Sequence, residues 1–443
     1  MKNIALTAPD WLLKNAIYQI NPRTFSEEGT IDAVTKELPF LKELGFNIVY
    51  LCPVFSEDNS ENKENWSKRQ LSSETGNPKN MYRMNDYFEM DEEFGTMESL
   101  KALTERAHAL GMKVLLDMVY AHIGPNAPII KRHPEFVQQT PEGEFILTAW
   151  HFPALDFNCE GLREYLWCNM VYYISVIDAD GFRLDVGDAI PVDFWKEARR
   201  RIQTIKSDAV LINEGNDYEK MAVAFDATYC YPWHEKMRNV FCDNAPADTI
   251  RVLHEELLQK IPQGGKLLMD IDNHDTVTDW DGRTETKAGH DGMEQIEVIN
   301  FLMDGIPMVY TGNELACEAK LNMFANRFYM GKYEVTDRSK KHTPESIRRQ
   351  TVIRALNRLK AESDVLRYGK TEWIKTDAPE SVIAFKRVHG DKALYFFGNT
   401  KKEPVQIQIE KDMQDKDCLL SNGNHQIQDN NLCLKAREYV VFA

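Results

Sequence analysis

Short apolar runs recur along the chain, separated by stretches of helical period, and several runs end in the same few polar residue types. Lys113 to His122 is largely apolar and closes on Asp117 and then Tyr120-Ala121-His122. Gly181-Phe182-Arg183-Leu184-Asp185, Val210-Leu211-Ile212-Asn213-Glu214-Gly215 and Leu267 to Asp275 follow the same plan. A near-continuous hydrophobic run of this length reads as a buried parallel strand. Ala16–Ile20, Asn47–Cys52, Ala224–Tyr229 and Pro307–Thr311 supply the first, second, sixth and eighth strands. Between them, Ile31 to Leu44 reads as a helix stopped by Gly45. Met97 to Leu110 is another, with Leu100, Leu103, Ala107 and Leu110 on one stripe and Gly111 as its stop. Pro191–Ile205 and Gln295–Met303 fill further gaps. This alternation predicts an α/β protein built on a (β/α)8 TIM barrel, with the polar strand ends gathered on its C-terminal face.

Two polar excursions interrupt the pattern, Ser56 to Asn80 and Ile123 to Asn158. Loops of that length inside a compact domain are usually functional or disordered. After about Tyr368 the texture changes to short strand-like runs, Ser381–Arg387, Ala393–Phe397, Val405–Ile409 and Tyr439–Phe442, with turns at His389-Gly390 and Asn422-Gly423. That is the pattern of an all-β C-terminal domain.

The 443 residues carry a net charge of −16, which argues against a nucleic-acid partner, because phosphate binding needs a basic face. Met1 to Asp10 lacks the apolar core of a signal peptide, and no run approaches the roughly 18 apolar residues of a membrane span. The eight cysteines are scattered without metal-ligand or redox spacing, as expected of free thiols in a reducing compartment. A cytoplasmic protein with no membrane partner is the expectation.

Candidate chemistry begins with Arg183 and Asp185, which share a strand face because side chains alternate. A cation beside a carboxylate favours its ionised form, and an ionised, oriented Asp can serve as a nucleophile. Alone the pair is ordinary strand structure. Placed with Asp117, His122, Glu214, His274 and Asp275 at the same end of other strands, it outlines one acidic site.

These runs resemble the conserved regions of the α-amylase family of retaining α-glucoside hydrolases and transglycosidases. Asp117 to His122 is similar to the first region, Gly181 to Asp185 to the second, Glu214 to the third and Asn273-His274-Asp275 to the fourth. Ala154 to Asn158, Tyr82 to Tyr87 with Phe94-Gly95-Thr96, and Ala16 to Phe25 add weaker likenesses, so the resemblance spans nearly the whole chain. It implies a barrel over 1–122 and 159–368, a short inserted subdomain over 123–158 after the third strand, and an antiparallel β-sandwich over 369–443. It also implies Asp185 as nucleophile and Glu214 as acid, with carboxylates roughly 5–5.5 Å apart. A position after an apolar strand would partly bury Glu214 and keep its proton available. Asp275, His274 and His122 would bind sugar hydroxyls, Tyr82 would stack under the sugar at the cleavage point, and Asp117 would organise the site with Arg183.

The chain departs from the family in two places. Glu214 is followed by Gly215-Asn216-Asp217 where an aromatic residue is common. Ala121 stands where many relatives carry a calcium-ligating Asn, and alanine has no side-chain oxygen to offer. No cofactor and no calcium at that position are expected. The resulting reading is a hydrolase of short α-glucans, with an oligosaccharide as its partner, in a pocket with few subsites closed at one end. A transglycosidase or isomerase of the same family is the alternative, since acceptor choice lies in loops such as 56–80 and 313–338. A non-catalytic binding or transporter-associated protein of this fold is a third, weakened by the joint presence of Asp185, Glu214 and Asp275.

Overall fold

Eight apolar runs form the strands of a barrel: β1 (Ile17–Ile20), β2 (Ile48–Leu51), β3 (Lys113–Met118), β4 (Gly181–Leu184), β5 (Val210–Asn213), β6 (Ala227–Thr228), β7 (Leu268–Met269) and β8 (Ile306–Tyr310). The structure, a computed structural model, describes residues 2–329 and 334–443. The strands pair in parallel in the order β6-β5-β4-β3-β2-β1-β8-β7, and a parallel bridge between Thr228 and Leu267 closes the ring. One set of alternating side chains points inward: Ile17, Ile48, Tyr50, Leu115, Val210, Ile212, Leu268, Ile306 and Met308 form one cluster, joined at its base by Leu12 and Leu13. The opposite set packs against the surrounding helices in a larger cluster. The barrel interior is thus a packed core, and function is left to the loops above it.

The helices begin and end where the sequence marks them. Thr30 caps Ile31–Glu43 by accepting from Ala33 N at 3.3 Å, and Thr96 caps Met97–Ala109 by accepting from Ser99 N at 3.3 Å. Gly45 (φ 89°) and Gly111 (φ 68°) follow in the left-handed region that favours glycine. The helix expected from Gln295 is longer, Thr284–Leu302, with a break at Gly289 (φ 75°). Its first half is charged and hides the period.

Strands β6 and β7 are shorter than their apolar runs. Before β6, the Asp226 carboxylate takes the Leu211 N–H at 2.8 Å. After Met269, Asn273 donates to Asp270 at 2.9 Å and accepts from Thr276 N at 2.9 Å. Short polar side chains bond the nearby backbone and end the ladder.

The polar excursion 56–80 is ordered. It holds a short helix, Lys68–Ser72, and the buried Arg83 guanidinium donates to the carbonyls of Asn65 (2.7 Å), Asp58 (2.9 Å) and Pro78 (2.6 Å). Segment 123–158 holds a short helix, Pro128–Arg132, and antiparallel bridges Gln139–Phe145 and Leu147–Pro153.

Past Tyr368 the chain builds two antiparallel sheets. One comprises Lys370–Trp373, Val382–His389, Lys392–Asn399, Cys418–Ser421 and Tyr439–Phe442; the other Val405–Gln408, Gln426–Gln428 and Asn431–Leu434. Val382, Ala384, Phe397, Val440 and Phe442 of the first pack on Ile407, Leu432 and Leu434 of the second. The other face of the larger sheet, through Phe385, Phe396, Tyr439 and Val441, joins the core around the barrel. No helix among the described residues is long and apolar enough to cross a membrane.

Candidate active site

Strand geometry delivers the site. Asp117 lies near the end of β3, Arg183 on β4, Asp185 just past β4, Glu214 just past β5, and His274 and Asp275 in the turn after β7. Arg183 joins them. Its Nη1 donates to Asp117 Oδ1 at 2.8 Å and to Asp185 Oδ1 at 3.0 Å, and its Nη2 forms a 2.7 Å ion pair with Glu214 Oε2. One planar guanidinium therefore touches both Asp185 and Glu214, which places the two carboxylates side by side.

The turn after β4 serves both groups. Val186 sits in the left-handed region (φ 45°), a costly conformation for a β-branched residue, and its N–H donates to Glu214 Oε2 at 2.9 Å. The remaining oxygen, Glu214 Oε1, accepts from the Tyr231 hydroxyl. Among the described residues Asp185 Oδ2 has no hydrogen-bond partner, and Asp185 lines the cleft. Burial and the neighbouring Glu214 raise the Asp185 carboxyl well above the ordinary range, and Arg183 opposes them only in part. The sequence suggested that Arg183 alone would keep Asp185 ionised. In the fold that one cation is divided among three carboxylates, so its pull on Asp185 is diluted.

Asp275 is different. Burial works against its charge, but the His274 ring N–H and the Arg69 and Arg183 guanidinium groups hold its carboxyl below the usual range. Arg69 Nη2 lies 2.8 Å from Asp275 Oδ1 and His274 Nε2 lies 3.2 Å from Oδ2. Gln19 Nε2 donates to His274 Nδ1 at 2.8 Å, so the ring proton sits on Nε2, 2.6 Å from the Tyr82 hydroxyl. That hydroxyl donates to Asp117 Oδ2 at 3.1 Å, and Tyr50 donates to the same oxygen at 2.6 Å. The Tyr82 and His274 rings stack at 5.4 Å. His122 donates from Nε2 to the Tyr82 carbonyl at 2.8 Å, and burial pushes its pKa down to about 4. The neutral ring leaves Nδ1 as a buried acceptor with no partner among the described residues.

These groups line an open cleft whose empty space, part of it continuous with solvent, is about 760 Å³. All three carboxylates, Tyr82 and His122 face it; Arg183, His274 and Asp117 stand behind them. The sequence did not point to Arg69, Tyr231, Trp150, Phe152 or Asp279, which also line it. They come from the segments that follow the strands, outside the apolar runs.

Asp188 shapes the loop beyond Glu214: its Oδ2 accepts from Asn216 N at 2.6 Å and Asp217 N at 2.8 Å. A Cβ on Gly215 would lie 2.2 Å from Asp188 Cγ, so glycine is required there for this contact.

Ala121 cannot itself ligate an ion through a side chain. Its side chain offers no oxygen and its carbonyl accepts from Leu155 N at 3.3 Å. Among the described residues no cluster of three or more His, Cys, Asp or Glu is arranged to hold an ion.

The family model described as alpha amylase, catalytic domain, matches residues 17–151 and 138–358. An intracellular maltogenic amylase of Bacillus subtilis is 25% identical over 445 residues, covering 88% of this chain and 69% of the relative. A cyclomaltodextrinase of Thermoanaerobacter pseudethanolicus is 23% identical, covering 90% of this chain and 72% of the relative. Among solved structures, a maltogenic α-amylase of Thermotoga neapolitana superposes with a TM-score of 0.80 at 24% identity, over 97% of this chain and 98% of that one. That likeness speaks to the fold alone.

Proposed function

The chain belongs to the α-amylase family of glycoside hydrolases, and from that premise we propose that Asp185, Glu214 and Asp275 hydrolyse α-glucosidic bonds of short maltodextrins with retention. The observation that carries this is the single Arg183 guanidinium in contact with both Asp185 and Glu214, since retention needs two neighbouring carboxylates. In the first step Asp185 Oδ2, the oxygen without a hydrogen-bond partner among the described residues, attacks the anomeric carbon. The bond to the glycosidic oxygen breaks, and Glu214 gives that oxygen its proton. In the second step a water attacks the glycosyl ester, Glu214 takes the water's proton, and Asp185 leaves as carboxylate. Asp275 would accept from sugar hydroxyls as positive charge develops in the ring. His122 Nδ1 would accept from another, and Tyr82 would supply the stacking face.

The relatives named maltogenic amylase and cyclomaltodextrinase support maltodextrins as the substrate class. The relative named intracellular supports a cytoplasmic location. We assign the catalytic barrel to 1–122 and 159–368, the subdomain to 123–158 and the β-sandwich to 369–443, and we assign no calcium to the Ala121 position. Chromatography of products from maltotriose, with and without added glucose, tests the reading. Glucose and maltose in the α-configuration support it; longer products that grow with added glucose would assign the chain to transfer.

A further inference from the structure

We propose that Arg69 and Asp279 form a fixed wall that seats the non-reducing end of the glucan, so that the enzyme works from chain ends. The inference rests on the hydrolase reading above and adds which part of the substrate the site accepts. Arg69 lies in the helix Lys68–Ser72 of the β2–β3 loop, yet its side chain reaches the opposite side of the barrel mouth. Its Nη2 contacts Asp275 Oδ1 at 2.8 Å and its Nε contacts Asp279 Oδ1 at 2.9 Å. The guanidinium also lies 5.8 Å from the Phe324 ring centroid, in the loop after β8.

The wall is braced from behind. Gln70 donates to the carbonyls of Asn77 (3.0 Å) and Pro78 (3.2 Å), and Asn77 donates to Phe324 O at 3.0 Å. Met323 N donates to Thr278 Oγ1 at 3.0 Å, tying the loop after β8 to the turn that carries Asp275 and Asp279. Three loops thus meet around Arg69, held by interior hydrogen bonds and not by surface charge alone.

Position gives the wall its role. The sugar cleaved must place its anomeric carbon at Asp185 and its hydroxyls against Asp275. Arg69 touches Asp275 and Asp279, whereas Glu214, beside the leaving group, is held by Arg183, Val186 and Tyr231. A sugar seated there meets a guanidinium–carboxylate pair where an internal unit would need an open channel to continue the chain. A free terminal hydroxyl can instead accept from Arg69 and donate to Asp279, and a site built around such bonds discriminates strongly against a partner that cannot make them.

Two maltoheptaosides test this, one with a free non-reducing end and one with that end blocked as a 4,6-ethylidene acetal, with products followed by chromatography. The native enzyme is expected to cleave the blocked substrate about tenfold or more slowly than the free one. Asp279→Ala keeps the Arg69–Asp275 contact, and Arg69→Ala removes both; each should raise the blocked-to-free rate ratio by about fivefold or more as the wall opens. Equal cleavage of both substrates by the native enzyme, or an unchanged ratio in both variants, overturns the inference and leaves the hydrolase reading standing. No cleavage of either substrate overturns the hydrolase reading and this inference with it.

Discussion

The Val186 backbone N–H donates to Glu214 Oε2 across 2.9 Å, so the residue that follows Asp185 also orients the carboxylate opposite it. The ends of β4 and β5 are therefore set as a unit. The left-handed turn at Val186 is the local strain that makes the contact possible.

Asp185→Asn keeps size and shape but removes the nucleophilic charge. The kcat/KM on maltotriose should fall by about three orders of magnitude or more, because nucleophile and acid act together. The melting temperature should hold or rise, since a buried carboxyl raised by its neighbours becomes a neutral amide. Kinetics and calorimetry on one preparation check both; a residual rate above about a tenth of native would assign the nucleophile elsewhere.

Tyr231→Phe deletes the hydroxyl that donates to Glu214 Oε1 and leaves the ring. A hydrogen bond between neutral groups is worth about 0.5–1.5 kcal/mol, so kcat/KM should drop by about 2- to 12-fold with the fold unchanged. An unaltered rate would show that the hydroxyl leaves Glu214 once substrate binds.

Calcium should be dispensable at the position next to Ala121. Treatment with a chelator, followed by calorimetry, should leave the melting temperature unchanged, and added calcium should not raise it. An ion bound only by the folded chain would produce a linked shift.

Glu297 supplies a pH test. It is buried between helices, neither carboxylate oxygen has a hydrogen-bond partner among the described residues, and Arg349 Nε is 3.5 Å away. Burial pushes its pKa up to about 8 from 4.5. Between those values the folded state holds a proton that the unfolded state has released. This contribution is therefore fully present below the unfolded pKa and is lost as pH rises through 8. Glu297→Gln should raise the melting temperature at pH 8 relative to native by more than at pH 5, an effect of a few kcal/mol at most. An equal difference at both pH values would refute this account.

Much of the barrel was legible because its strands are continuous apolar runs whose polar ends stand out. Asp117, Arg183, Asp185, Glu214 and Asp275 were found by that contrast. Arg69 was not, since it sits among lysines, serines and asparagines in a loop whose fold depends on Arg83 and Asn77 reaching distant carbonyls. The short sheet strands Gln426–Gln428 and Lys370–Trp373 were missed for a related reason. They are mostly polar, and pairing with neighbours, not their own pattern, makes them strands. The charge balance at Asp185 was also out of reach, because sequence shows Arg183 beside it but not the two other carboxylates that share the cation.

The close approach of Gly215 to Asp188 recasts one departure from the family pattern. An aromatic side chain after Glu214 and a carboxylate at 188 cannot occupy the same space, so the glycine and the aspartate are a single choice made at two positions. Varying either alone should read as intolerance. Among relatives the two sites should change together, and a library that varies them as a pair would reach loop conformations closed to single substitutions.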